Sequence, residues 1–332
     1  MNPWIIFALT SAGIVVAGIR LAPYGDALGR HLRIGQGWVG LILLATLTSI
    51  PEMTTTVTGA SIGEPNIALG NAFGSNLFNI VIIAIVDILL LRKRPGSFLA
   101  HVRSYHTISA GMAILLTAVA MCGIIWNPSG MIFGISPISF LILVGYCVGV
   151  FMLLQAERGE ESGVEETTTH SLRSALIGFL SCGAVIIVSG IYLVQASRDI
   201  SVSTGLSASF MGAILVAIIT SLPELATSIG ALRIGAYDMI VGNLFGSNMF
   251  NILTIFFADI AFRPGPILGS LGAGAADQLL VGGCGIILTG IALVSIGVRS
   301  RRRVFGVGVD SLVLLAVYVA VTVVIIGRGI QL

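Results

Sequence analysis

The sequence predicts an all-α, polytopic membrane protein with ten transmembrane helices in two inverted five-helix repeats. Its composition is the first reason, because the 332 residues are 56% hydrophobic and 10% charged, with a mean hydropathy of +1.03. The apolar runs are about 20 residues long, the length that crosses a bilayer as a helix. One polar segment also recurs almost unchanged 172 residues later.

Hydropathy and helix-breaking residues predict spans near 3–22, 37–60, 66–91, 105–126, 134–155, 172–195, 209–232, 238–262, 275–298 and 305–327. Only helices suit these lengths, because backbone polar groups in hydrocarbon must be satisfied within the segment. The predicted halves are residues 1–155 and 172–332. The acidic segment between them, 156–171, contains five glutamates that begin with Glu157, and we expect it to be a solvated cytoplasmic linker.

The distribution of basic residues predicts the orientation of the chain. Connections on one side of the ten spans hold 14 Lys and Arg, including Arg20 and Arg30, and the other side holds 3. By the positive-inside rule the first side is cytoplasmic, which places both termini outside a cell (inner) membrane. The second span then runs outward and its copy, the seventh, runs inward, so the repeat is inverted, as in many secondary transporters.

Composition also excludes several classes of protein. The net charge of +2 and the absence of a basic patch argue against nucleic-acid binding, and the expected partner is the lipid bilayer, with no obligatory protein partner implied. The four cysteines lie in apolar segments without metal-ligand spacing, and the histidines fall in or beside connections. No nucleophile, base and orienting group are grouped and no cofactor motif is present, so we expect neither an enzyme nor a cofactor.

The recurring segment covers residues 41–80 and 213–252, which share 19 identities in 40 positions without a gap. TSIPE (48–52) recurs as TSLPE (220–224), and GNAFGSNLFNI (70–80) recurs as GNLFGSNMFNI (242–252). The identities concentrate at polar, Pro and Gly positions rather than at interchangeable aliphatic ones. The pattern therefore predicts one functional unit built from both copies.

The prolines and glutamates of these motifs predict a cation site inside the membrane. Pro51 and Pro223 each remove a backbone N–H in mid-span, which breaks the helix and frees a carbonyl group. Glu52 and Glu224 follow them, and no predicted span carries Lys or Arg at a comparable depth. Intramembrane carboxylates without a partner bind a cation or carry a proton. Two of them balance one divalent ion, and Ca²⁺ takes six to eight such oxygen ligands.

Residues with neutral oxygen atoms lie near both glutamates in the sequence, and such oxygens suit small monovalent cations such as Na⁺. They belong to Thr48, Ser49, Ser75 and Asn79, and to their copies Thr220, Ser221, Ser247 and Asn251. For Asn71, Asn76, Asn243 and Asn248 we favour hydrogen bonds between helices, and for Gly70, Gly74, Gly242 and Gly246 close helix packing. Asp87 and Asp259 are more simply interpreted as helix-end or interfacial residues.

With these motifs the sequence resembles the calcium/cation antiporter superfamily, specifically its sodium/calcium exchanger branch, over nearly the whole chain. The resemblance implies a central Ca²⁺ site formed by Glu52 and Glu224 with Thr48 and Thr220. It implies flanking Na⁺ sites at Ser49, Ser75, Ser221 and Ser247, with the backbone carbonyls of Ala45 and Ala217. The transported ions are then Ca²⁺ and Na⁺, exchanged by alternating access.

The sequence departs from the family pattern at positions that affect function. Leu47 and Ile219 stand where many members have Gly before the motif Thr, and Asn251 stands where potassium-dependent relatives have Asp. The second glutamate of proton-coupled relatives is absent, which favours Na⁺ as the coupling ion. H⁺ in place of Na⁺, or Mn²⁺ in place of Ca²⁺, remain alternatives, and a passive cation channel using the same oxygens is a further one.

Overall fold

The computed structural model describes residues 2–90, 97–126, 130–132, 134–159, 170–204, 217–299 and 302–328. The α-helices are α1 (Pro3–Leu32), α2 (Gln36–Trp38), α3 (Ala45–Thr48), α4 (Ile50–Ser61), α5 (Pro65–Leu89), α6 (His106–Trp126), α7 (Pro137–Gly159), α8 (Leu172–Thr204), α9 (Ala217–Thr220), α10 (Leu222–Arg233), α11 (Tyr237–Ala261), α12 (Ala275–Val298) and α13 (Val309–Arg328). A π-helix, Val39–Leu44, joins α2 to α3. The strands Arg303–Val304 (β1) and Val307–Gly308 (β2) form a two-stranded antiparallel hairpin. The predicted all-helical class is confirmed apart from this hairpin.

Seven helices within the described residues are long and apolar enough to cross a membrane. Two further helical segments, Gln36–Thr48 and Ile50–Ser61, are bent by 47° at the break between them. If this pair is counted as one span, the number rises to eight. Residues 209–216, where the seventh predicted span begins, lie outside the described residues. Ten spans therefore stay a prediction.

The helices that contain the first and sixth predicted spans are longer than those spans. α1 continues through Pro23 to Leu32, and the carbonyl oxygen of Ile19, which Pro23 deprives of its helical N–H partner, meets Gly230 of α10 instead. A Cβ at Gly230 would lie 2.5 Å from that oxygen. Arg20 and Arg30 consequently lie within α1 and not in the connection after it.

α8 likewise runs to Thr204 and not to residue 195. Leu193, Ala196 and Ile200 are all buried, so the helical spacing of buried residues continues beyond the most apolar part of the segment. Hydropathy alone underestimates the length of this helix, because its last turns are polar on their exposed side.

Glu157 belongs to α7 and not to a solvated linker. Its Oε1 accepts the backbone N–H groups of Gly37 at 3.0 Å and Trp38 at 3.3 Å, and the Tyr105 hydroxyl group at 3.2 Å. These N–H groups lie at the start of α2, where helical partners are lacking, so Glu157 caps that helix from a distant part of the chain. The remaining linker glutamates, Glu160, Glu161, Glu165 and Glu166, lie outside the described residues. Four basic residues of the charge count also lie outside them: Arg92, Lys93, Arg94 and Arg301.

The helices of the two halves correspond at a constant offset of 172 residues. α3, α4 and α5 begin and end 172 residues before α9, α10 and α11. α7 and α13 begin with the same offset, and α1 and α8 end with it. The equivalence of the predicted halves therefore extends from the motifs to the helix boundaries.

The motif helices α5 and α11 form the centre of the bundle. In their most apolar stretches 83% and 89% of the residues are buried, against 28% in α1, α7 and α8. The GxxxG prediction is confirmed for the second copy, because a Cβ at Gly242 would lie 2.5 Å from the Gly37 carbonyl oxygen and one at Gly246 would lie 2.7 Å from that of Leu41. Polar side chains on this central pair are consequently removed from the protein surface.

Candidate functional site

The predicted helix breaks are present, at the motif serines. Ser49 separates α3 from α4 with φ −91° and ψ 8°, and Ser221 separates α9 from α10 with φ −87° and ψ 10°. Pro51 and Pro223 are the second residues of the helices that follow, where a missing N–H removes no helical hydrogen bond. The breaks therefore lie two residues before the prolines.

Glu52 and Glu224 are fully buried, and each accepts a hydrogen bond from the serine of the other copy. Ser49 Oγ donates to Glu224 Oε1 at 2.9 Å, and Ser221 Oγ donates to Glu52 Oε1 at 3.3 Å. Neither carboxylate forms an ion pair with a described residue, and neither Oε2 atom has a hydrogen-bond partner among them. The fold thus encloses two acidic groups without a basic partner in the described part of the chain.

The other motif hydroxyl groups lie beside these carboxylates. Ser247 Oγ donates to Glu224 Oε1 at 3.2 Å, and Ser75 Oγ lies 3.3 Å from Thr220 Oγ1. Thr48 Oγ1 lies 3.0 Å from the Leu44 carbonyl oxygen and 3.3 Å from Asn243 Oδ1. The structure thereby brings together the hydroxyl groups of both copies at one buried place.

Four asparagines hold α5 and α11 together next to the glutamates. Asn79 Nδ2 donates to Asn248 Oδ1 at 3.0 Å, and Asn251 Nδ2 donates to Asn76 Oδ1 at 3.1 Å. The predicted interhelical role of Asn76 and Asn248 is confirmed, because each also donates to the backbone carbonyl oxygen of the other. The Oδ1 atoms of Asn79 and Asn251 have no hydrogen-bond partner among the described residues.

Two threonines that the sequence analysis did not single out support the site from behind. Asn71 Nδ2 donates to the Glu52 carbonyl oxygen at 3.0 Å and to Thr56 Oγ1 at 2.9 Å, and Asn243 Nδ2 donates to Thr227 Oγ1 at 3.2 Å. Thr56 follows Glu52 by four residues and Thr227 follows Glu224 by three, which places each on the face of its glutamate. That spacing is the signal that identifies them.

The alanines implied as carbonyl ligands begin the short helices before the breaks. Ala45 is fully buried, and its carbonyl oxygen accepts the Ser49 N–H at 3.0 Å. Thr48 Oγ1 lies 3.5 Å from the same oxygen, so a cation that used the second lone pair would compete only with this long contact. Ala217 is the first residue of α9.

Asp87 and Asp259 lie away from this cluster and bind backbone groups of the connections. Asp87 accepts the N–H groups of Phe98 at 2.6 Å and Gly308 at 2.7 Å. Asp259 accepts those of Ser136 at 2.6 Å and Ile267 at 2.8 Å. Their helix-end interpretation is confirmed, and both side chains are fully buried.

The cluster offers oxygen atoms and almost nothing else to a ligand. Among the described residues no group of three or more His, Cys, Asp or Glu side chains is suited to hold a metal ion. Two carboxylates with hydroxyl, amide and carbonyl oxygens suit hard cations such as Ca²⁺ and Na⁺ better than metals that prefer sulfur or imidazole. The arrangement is suited to reversible cation binding.

Residues 2–155 and 174–327 match the family model described as sodium/calcium exchanger protein. The chain is 27% identical over 307 residues to the putative antiporter CaxA of Alkalimonas amylolytica, across 90% of this chain and 92% of that protein. It is 26% identical over 264 residues to the inner membrane protein YrbG of Escherichia coli (76% and 78% covered). It is 25% identical over 270 residues to the sodium/calcium exchanger MaX1 of Methanosarcina acetivorans (72% and 77% covered).

Solved structures of the sodium-calcium exchanger NCX_Mj have the same fold. One of them, soaked with Na⁺ and Sr²⁺, superposes with a TM-score of 0.73 at 19% identity, covering 97% of this chain and 98% of that chain. At this identity the likeness is one of fold, and it extends over almost the entire chain.

Proposed function

Since the chain belongs to the sodium/calcium exchanger protein family, we propose that it is a secondary active antiporter that exchanges Na⁺ for Ca²⁺ by alternating access. The match to the family model over both halves and the relatives named as antiporters support transport of cations, Ca²⁺ among them, and not enzymatic catalysis. The pairing of Na⁺ with Ca²⁺ rests on the chemistry of the buried cluster.

The observation that carries the proposal is the pair of buried glutamates. Each accepts a hydrogen bond from a serine of the other copy, and the second carboxylate oxygen of each has no hydrogen-bond partner among the described residues. A divalent cation between Glu52 and Glu224 would neutralise both charges, which removes the cost of carrying them through hydrocarbon. Exchange follows if Na⁺ and Ca²⁺ compete for the same carboxylates, because the site then crosses loaded with one or the other.

In this proposal the ligands of each ion come from both copies. Ca²⁺ is held by Glu52 and Glu224 with Thr48 and Thr220. Na⁺ is held by the motif serines and the carbonyl oxygens before the breaks, with the asparagine amides completing the set: Ser49, Ser75, Ser221, Ser247, Ala45, Ala217, Asn79 and Asn251. The hydrogen bonds among these side chains support a shared site, since each donor would turn its oxygen towards a bound cation at little cost in geometry.

We also propose ten spans in two inverted halves, with both termini outside an inner membrane and the linker in the cytoplasm. The constant offset of the helix boundaries supports two equivalent halves, and five spans in each half invert the second relative to the first. The bias of basic residues supports this orientation even without Arg20, which lies within α1. Similarity to an inner membrane protein of Escherichia coli agrees with this location.

Proton-driven exchange is a second candidate, because two carboxylates in one site without a basic partner are also suited to carry protons. The deciding experiment measures Ca²⁺ uptake into proteoliposomes under a Na⁺ gradient, under a proton gradient, and under neither. Na⁺-dependent uptake is expected. Uptake that ignores Na⁺ and follows the proton gradient establishes the second candidate, and uptake without any countergradient indicates a channel. Substituting Mn²⁺ for Ca²⁺ tests the identity of the divalent ion.

A further inference from the structure

Arg20 lies inside an apolar helix that faces lipid. α1 continues about three turns beyond it, to Leu32. The Arg20 side chain is exposed, and it makes no hydrogen bond or ion pair with the described residues. A guanidinium group in that position needs an anion, because an unpaired charge is strongly disfavoured in hydrocarbon.

The neighbouring helix shows the depth at which Arg20 lies. The ring of Tyr24, one turn later in α1, packs so closely on Gly178 of α8 that a Cβ there would lie 2.5 Å from it. On either side of this level α8 exposes only apolar side chains of large size, Leu176 and Leu180 towards its start and Val185 beyond. The exposed surface beside Arg20 is therefore mostly apolar.

A groove of about 430 Å³ opens between α1 and α8 beside Arg20. This volume is within the range of roughly 300–1,000 Å³ that small-molecule sites occupy. Small or apolar residues form its walls: Ala12, Gly13, Val16, Ala17 and Val185. Two more polar residues, Ser181 and Cys182, line the groove together with Arg20. Side chains in a helix lean towards its N-terminus, so Arg20 leans over the groove residues that precede it.

No described residue supplies the missing anion. No Asp or Glu lines the groove. The acidic residue that follows in α1, Asp26, already accepts hydrogen bonds from Arg30 and Gln36, each at 2.9 Å. The groove thus combines an apolar channel with one cation that has no counter-charge among the described residues.

We propose that this groove binds an anionic phospholipid. The phosphate pairs with the Arg20 guanidinium group and accepts the Ser181 hydroxyl group, since a guanidinium matches phosphate with two parallel hydrogen bonds. One acyl chain lies along Ala12, Val16 and Val185. A zwitterionic lipid brings its own cation to the phosphate and leaves no net charge to balance Arg20, so it binds more weakly.

The position of the groove gives the lipid contact with the helices that cover the motif segments. α1 packs on α10 at Gly18, where a Cβ would lie 2.6 Å from Ala226 Cβ. α8 packs on α4 at Gly190, where a Cβ would lie 2.5 Å from Pro51 Cγ. The lipid is therefore one helix away from each break. Its binding does not depend on which cations the protein transports.

The test uses native mass spectrometry of the purified full chain in mild detergent, titrated with phosphatidylglycerol or phosphatidylcholine. We expect wild type to retain one phosphatidylglycerol in preference to phosphatidylcholine. Arg20→Gln should weaken this retention about tenfold, the effect of losing one charge-assisted hydrogen bond. Ala12→Phe should weaken it by filling the groove. Arg173→Gln, which removes an exposed arginine near the start of α8, is the matched control and should change nothing.

Three results would overturn the proposal. The first is wild-type retention of phosphatidylglycerol by Arg20→Gln, and the second is equal retention of phosphatidylcholine by wild type. The third is displacement of the lipid by millimolar inorganic phosphate, which would indicate a site for free anions. Thermal unfolding of each variant shows that it is folded. If Ala12→Phe does not fold, Arg20→Lys replaces it, and retention between those of wild type and Arg20→Gln is expected because a point charge replaces the planar fork.

Discussion

The two copies of the motif have the same site residues, yet these residues do not make the same contacts. Ser247 donates to Glu224 of its own copy, whereas the equivalent Ser75 bonds with Thr220 of the other copy. Asn71 donates to the Glu52 carbonyl oxygen, whereas the equivalent Asn243 accepts the hydroxyl group of Thr48. Identical chemistry is therefore held in two local arrangements.

This difference is compatible with the alternating access that we propose. If one half opens while the other closes, equivalent residues must occupy different surroundings at any moment and exchange them during the cycle. The supporting threonines differ in the same way, because Thr227 is equivalent to Thr55 and not to Thr56, which Asn71 contacts. The supporting threonine thus lies one position further along the helix in the first copy than in the second, although the candidate site residues are the same.

A second contrast lies at the ends of α5 and α11. Asp238 of α11 accepts the Arg103 N–H at 2.8 Å and lies 3.4 Å from Nε2 of the buried His106. The equivalents of Asp238 and His106 are Asn66 and Gln278, where Gln278 Nε2 donates to the Asn66 carbonyl oxygen at 3.3 Å. Equivalent positions are therefore in contact in both copies, but only the contact between Asp238 and His106 involves an ionisable pair.

The largest effect is expected where the copies are equivalent. Glu52→Gln and Glu224→Gln should each reduce Ca²⁺ transport in proteoliposomes by at least about 100-fold, because each removes half the charge that faces a divalent ion. Glu64→Gln is the matched control, since Glu64 is exposed at the start of α5, and it should transport normally. Normal flux in either site variant would refute a shared site.

The next effect separates the two copies. Ser247→Ala should weaken equilibrium Na⁺ binding about tenfold, because Ser247 contacts a carboxylate, whereas Ser75→Ala should weaken it less. Isothermal titration calorimetry in detergent measures both without a gradient. Equal losses would mean that the protein in solution does not favour the arrangement seen in the structure.

A third change adds charge at one equivalent position at a time. Asn251→Asp raises the formal charge of the site from two negative to three, so we expect its Ca²⁺ flux to become sensitive to K⁺ or to pH. Asn79→Asp should respond less, because the potassium-dependent relatives have their acidic residue in the second copy. Na⁺-dependent Ca²⁺ flux is measured against K⁺ concentration at several pH values. If Asn251→Asp keeps the wild-type dependence, this position does not face the cations.

The smallest effect concerns stability at the contrasting ends. Asp238→Ala removes an acceptor from a backbone N–H and the partner of buried His106, and it should lower the free energy of unfolding by about 1–3 kcal/mol. Asn66→Ala, which loses one side-chain hydrogen bond at 3.2 Å to the Leu271 carbonyl oxygen, should cost about 1 kcal/mol. Thermal unfolding in detergent compares them. A larger loss in Asn66→Ala would show that the charged contact contributes no additional stability.

The sequence by itself predicted the helical class, which the structure confirms, and the polar residues of the candidate site, which the structure brings together. These follow from local physics, because apolar length predicts a span, and proline, buried carboxylates and repeated amides are costly in hydrocarbon unless they have a function. Exact repetition added the expectation that the copies meet. It could not show how their contacts differ, since the two sequences are the same at the ligands.

Tertiary structure decided what depends on distant partners. Ser49 and Glu224 are 175 residues apart, and nothing local indicates that each serine binds the glutamate of the other copy. The Ile19 carbonyl oxygen that Pro23 leaves without a helical partner lies against Gly230 of a distant helix, and the role of Glu157 depends on the start of α2. Hydropathy measures the transfer of side chains into lipid, whereas helix ends, caps and grooves are set by which backbone groups a neighbouring helix satisfies.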